Sequence, residues 1–201
     1  MKYIVFSGFL GAGKTMAVSS FAGHYLKKPR KDPDRADRIV IIENEIGETN
    51  YDDELLGSEG YSVSGMLSGC ICCSLASELS AAVKGVIRDY SPECIIIEPT
   101  GLASPGKVLE TLNGFISHED EVKVVSVIDA TRYRELAGIM PKMLADQMES
   151  ADLLLLNKTD AAAKDEVRVM LQEIRGFGYK ACVKPVSLSE GVDASIWKGL
   201  L

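Results

Sequence analysis

Short apolar runs, many of their residues β-branched, recur along the chain at 3–6, 39–42, 94–97, 122–128, 153–156 and 181–183. Runs of this kind are the mark of strands buried on both faces, as in a parallel sheet. Between most of them apolar positions return every three to four residues, which predicts helices over 15–27, 74–89, 107–115, 132–140 and 163–175. Strand and helix alternate, so the expected class is α/β: a three-layer sandwich whose mainly parallel central sheet is flanked by helices and joined by right-handed crossovers. Ligands of such sheets bind at the carboxyl ends of the strands. Two stretches break the alternation. Residues 27–38, KKPRKDPDRADR, predict an exposed, charged connection. Residues 43–69, rich in Glu, Gly and Ser, predict a long irregular segment of the sort that compact domains keep for function.

With 201 residues, 46% of them apolar, the chain suffices for one substantial core, and a single domain over 1–201 is expected. A net charge of -7 disfavours nucleic acid or an anionic membrane as partner. No cationic, apolar leader opens the chain and no apolar run approaches the ~18 residues that span a bilayer, so a cytoplasmic protein is expected. Three of the five cysteines fall within 70–73, which suits a metal or redox site better than a disulfide framework.

Residues 8–15, GFLGAGKT, follow the first apolar run and open the first helical pattern. In G-x-x-x-x-G-K-T the glycines let successive amides turn toward a di- or triphosphate, while the following helix aims its positive end at the same anion. Gly8, Gly11, Ala12, Gly13 and Met16 thus line the phosphates; Lys14 reaches the β and γ oxygens, and the Thr15 hydroxyl ligates Mg²⁺. A further Mg²⁺-side carboxylate is expected at a strand end beside this loop, and IIIEPTG supplies Glu98. The plainer reading of Glu98 is a solvent-facing residue before a proline turn. Gly101 follows, where its amide can face the γ-phosphate. Next comes Leu102, not a glutamine that could orient the attacking water. Slow intrinsic hydrolysis is expected, with the water positioned by Glu45, Asp129 or a partner.

Residues 157–160, NKTD, follow the run 153–156. There Asp160 can accept two hydrogen bonds from guanine, a donor pair adenine lacks, which makes GTP the expected ligand. Lys158 can lay its stem along the purine, and Asn157 can bond the base or brace the loops. Ser187 and Leu188, in SLSEGV, are placed to offer amides to the base edge.

Cys70, Cys72 and Cys73, in GCICC, can converge on one ion, and soft thiolates favour Zn²⁺, Cu(I) or, less strongly, Co²⁺. Only three ligands are local; a carboxylate from 43–48, a partner side chain or water would complete the set. A redox-sensing dithiol and simple packing are the rival readings. Cys94 and Cys182 lie in apolar runs and read as core, and neither His24 nor His118 has motif context.

Taken together, GFLGAGKT, NEIGE at 44–48, GCICC, EPTGLASP at 98–105, VSVIDA at 125–130 and LLLLNKTD resemble the CobW-type GTPases, which belong with the hydrogenase- and urease-maturation GTPases. The resemblance implies a Mg²⁺-dependent P-loop GTPase that couples its nucleotide state to delivery of a transition metal. It puts Glu45 in the switch that senses the γ-phosphate and Cys70, Cys72 and Cys73 on the transferred metal. Many such proteins continue into a second, smaller domain, and some carry a histidine-rich stretch; this sequence has neither. Expected partners are a client metalloenzyme or a corrinoid protein, and a second copy in a GTP-favoured homodimer. The rivals are a GTPase chaperone for a corrinoid-type cofactor enzyme with structural zinc, a redox-regulated switch, and a P-loop small-molecule kinase.

Overall fold

The computed structural model describes residues 1–29, 38–43, 61–65, 75–114 and 116–200. Among these residues seven strands form one sheet: β1 (Lys2–Ser7), β2 (Ile39–Glu43), β3 (Tyr61–Gly65), β4 (Cys94–Glu98), β5 (Glu121–Asp129), β6 (Leu153–Asn157) and β7 (Cys182–Pro185). Their order is β3-β2-β4-β1-β5-β6-β7, and every pairing is parallel. Six helices are described: α1 (Lys14–Leu26), α2 (Leu75–Tyr90), α3 (Pro105–Asn113), α4 (Tyr133–Ile139), α5 (Pro141–Glu149) and α6 (Lys164–Gly176). None is long and apolar enough to cross a membrane.

Because strand side chains alternate, each central strand feeds two cores. On one face Ile4 and Phe6 of β1, with Val125 and Val127 of β5, meet Val18 and Phe21 of α1 and the C-terminal Trp197 and Leu200. Trp197 stands edge-on to Phe21 at 5.7 Å and to Phe6 at 6.2 Å between ring centroids. On the other face Tyr3, Val5, Ile95 and Ile97 pack on Leu79 and Val83 of α2 and on Val108 and Leu112 of α3. Further along that face, Leu154 and Leu156 of β6 meet Leu144 and Met148 of α5 and Met170 and Ile174 of α6.

Three expectations need correction. The stretch 43–69 is not irregular throughout, since 61–65 is strand β3, which among the described strands is an edge and pairs with β2. Its sequence, YSVSG, alternates polar residues and has no apolar run to mark it as a strand. The helix expected over 132–140 is followed at once by another, α5, whose start at Pro141 reads in sequence as a stop. Cys182 is exposed rather than buried, because β7 is the other edge and lacks full cover; Cys94, in central β4, is fully buried.

β1 lies between β4 and β5, so the chain leaves its central strand in one direction first and in the other afterwards. The carboxyl end of β1 is therefore the switch point where an open parallel sheet leaves a crevice.

Candidate functional site

The loop leaving that switch point is residues 8–13, where Gly8, Gly11 and Gly13 have φ of 142°, 75° and 103°. Gly13 is the N-cap of α1, in the left-handed region and with no side-chain cap. A side chain there would also collide with the Asn157 amide. The first amides of α1 thus face the crevice without intrahelical acceptors, and no acidic residue occupies the first turn to compete for an anion. Lys14 is buried, with Nζ 3.4 Å from the Phe9 carbonyl across the loop.

Thr15 Oγ1 donates to Glu98 Oε1 at 3.0 Å, joining the start of α1 to the end of β4. Glu98 is itself buried, contrary to the plainer solvent-facing reading. Beside it Glu43 ends β2, in register with Glu98 on one side and with Gly65 on the other. The backbone after Glu98 then crosses over the phosphate loop: a Cβ on Gly101 would sit 2.5 Å from the Leu10 nitrogen. Only glycine permits that approach. Leu102 follows, 65% exposed, and the turn closes through Ala103 N–H to the Thr100 carbonyl and Gln147 Nε2 to the Ala103 carbonyl, at 2.9 and 3.0 Å.

On the other side of β1 the residues expected at the base converge. Asn157, buried at the end of β6, donates from Nδ2 to the Ala12 carbonyl at 2.8 Å and accepts the Leu188 amide on Oδ1 at 3.0 Å. One side chain thereby clasps the phosphate loop to the 187–188 segment. Thr159 Oγ1 donates to the Val186 carbonyl at 3.0 Å, and the Asp160 amide donates to Ser187 Oγ at 3.1 Å. The Asp160 side chain stays exposed at the rim. Lys158 Nζ lies 2.7 Å from Asp129 Oδ2, while Asp129 Oδ1 accepts from the Thr131 amide and hydroxyl at 2.9 and 2.6 Å. Burial pushes the Asp129 carboxyl up, but the bonds from Lys158 and Thr131 outweigh it and hold the group below the usual carboxylate range. Sequence reasoning named Asp129 but not Thr131; a threonine two residues after a strand-end aspartate was the available signal.

Every described residue expected at the nucleotide therefore lies along one rim of the sheet. Glu98 and Asn157 stand three strand intervals apart, roughly 14 Å, a span suited to an extended nucleoside triphosphate. The expected Glu45, Cys70, Cys72 and Cys73 lie outside the described residues, and among the described ones no cluster of three or more metal-ligating side chains forms.

The family model for the CobW/HypB/UreG nucleotide-binding domain matches residues 2–183. Among curated proteins, the zinc chaperone YjiA of Escherichia coli is 33% identical over 171 residues, covering 80% of this chain and 50% of that protein. The zinc-regulated GTPase metalloprotein activator 1 of Schizosaccharomyces pombe is 29% identical over 180 residues, covering 85% and 42%. The chain spans about half the length of these curated relatives. Among solved structures, Zn(II)-bound YjiA GTPase from Escherichia coli superposes with a TM-score of 0.61 at 24% identity, over 98% of this chain and 60% of that one.

Proposed function

The chain belongs to the CobW/HypB/UreG family, and from that premise we propose that it binds GTP with Mg²⁺, hydrolyses it slowly, and uses the cycle to govern delivery of a transition metal, zinc foremost, to a client metalloprotein. The observation that carries this reading is the Asn157 clasp, which makes the phosphate loop and the base segment one cradle. In that cradle the amides of residues 11–16 and the Lys14 ammonium take the phosphates. Thr15 and Glu98 offer the hard oxygen donors that Mg²⁺ prefers, and they already meet at 3.0 Å. Bound there, Mg²⁺ would neutralise charge on the β and γ oxygens.

Asp160 reads guanine through its paired donors, with Ser187 and Leu188 at the base edge. Gly101 brings its amide to the γ-phosphate side, and the exposed Leu102 that follows has no group to orient water, which supports a low intrinsic rate. The names of the relatives support zinc as cargo. Cys70, Cys72 and Cys73 are its proposed ligands. Glu43, a candidate for the remaining position, ends β2 opposite Gly65, five residues before Cys70 in the chain.

Zinc affinity, measured by competition with a chromophoric chelator in the presence of GDP or a non-hydrolysable GTP analogue, tests the proposal. Coupled delivery requires different affinities in the two states, and loss of the tight site in the C70S/C72S/C73S variant. Equal affinities would instead support a structural ion and a cofactor-enzyme chaperone. If the serine variant held as much zinc with the same nucleotide dependence, the cysteines would not be the site.

A further inference from the structure

We propose that Asp129 is a positioning residue that fixes Lys158 as one wall of the purine pocket, so that it sets nucleotide affinity through the base and not through the phosphates. The inference rests on reading residues 157–160 as the guanine site. Lys158 is one of two described non-glycine residues with positive φ, at 61°. It stands at the N-cap of the 3₁₀ turn Thr159–Ala161, and this conformation turns its side chain off the line of β6. The ammonium then ends at Asp129 Oδ2, 2.7 Å away.

That carboxylate has no freedom to follow a wandering lysine. Its other oxygen is taken twice by Thr131. Its backbone is in register with Asn157, and the Ala130 amide donates to the Asn157 carbonyl at 2.9 Å. Asp129 is 4% exposed at the side chain and Lys158 40%, so the anchor is buried while much of the lysine still faces solvent. An aliphatic stem held at both ends with one face open is a platform for a flat ring. Because its rotamer is fixed beforehand, little entropy remains to be lost when the base arrives. The Thr15–Glu98 pair is two strand intervals from Asp129, roughly 10 Å. Distance thus sets the Thr15–Glu98 end of the cradle apart from the anchor.

Dissociation constants for GDP, IDP, ADP and inorganic tripolyphosphate, measured by calorimetry on wild type, D129N, K158M and the double variant, test this. IDP lacks the exocyclic amine that Asp160 reads, so it separates stacking from guanine recognition. In D129N the constants for GDP and IDP should rise by the same factor, about tenfold, while that for tripolyphosphate stays put. K158M keeps the stem but cannot be anchored; it should show the same loss, and the double variant no further loss. A wild type without preference for GDP over ADP would overturn the guanine reading and this proposal with it. A wild type that prefers GDP, beside a D129N of undiminished affinity or a double variant whose losses add, would overturn the role of Asp129 alone. Should D129N fail to fold, unchanged GDP affinity in K158M, altered at a partly exposed position, would overturn it equally.

Discussion

Asn157 uses both ends of its amide on main-chain groups from two different loops, and both bonds are buried. Replacing it with alanine strands the Ala12 carbonyl and the Leu188 amide without partners, at a cost of about 1–3 kcal/mol. The N157A variant should show that loss in urea denaturation and should weaken GDP binding by about tenfold or more; undiminished GDP affinity would separate the clasp from the nucleotide site. At this scale the placement of single residues at the rim was legible: the glycines, Lys14, Thr15, Glu98 and Asn157 were all named from motif and spacing. Their partners were not. Asp129 was read as a group that could position water; in the structure its two oxygens bond Lys158 and Thr131.

Helix α1 shows how an element is held at both ends. Its amino end carries the phosphate loop; at its carboxyl end the buried Arg38 donates to the carbonyls of Tyr25, Leu26 and Lys28, at 3.3, 2.8 and 2.9 Å. The same guanidinium lies 3.6 Å from Glu93, with both side chains 5% exposed, and 5.5 Å from the centre of the Tyr25 ring. The R38M variant leaves Glu93 buried and uncompensated, so unfolding should become easier by about 3–5 kcal/mol. R38M/E93L should recover much of that in the same denaturation series, but not the part due to the uncapped carbonyls. Equal losses in both variants would show that capping alone matters. Arg38 closes the charged stretch 27–38 and gives no sign in sequence that it is buried. The missed elements have a similar cause: β3 reads YSVSG, with no apolar run, and α5 buries a narrow stripe of Leu144, Gln147 and Met148, so neither offers a pattern strong enough to read.

Across the whole molecule, one layer over the sheet is built from α1 and the C-terminal segment, with the sole tryptophan, Trp197, fully buried between them. Its fluorescence should lose native character in the same denaturant range as far-UV circular dichroism, and W197A should destabilise by about 3–5 kcal/mol. An earlier fluorescence transition would mean that the terminal segment detaches on its own. The sequence by itself determined the alternation of strand and helix, the parallel sheet, the glycine loop and the NKTD motif, because each depends on residues within a few positions of one another. Strand order determined the rest. With β1 between β4 and β5, Thr15 meets Glu98 and Asn157 meets the Ala12 carbonyl across 83 and 145 positions of chain. Such bonds depend on which strands become neighbours and on where their ends fall in register, and a local pattern carries neither. The GFLGAGKT loop becomes a cradle only because the tertiary structure brings a carboxylate to one side of it and an amide clasp to the other.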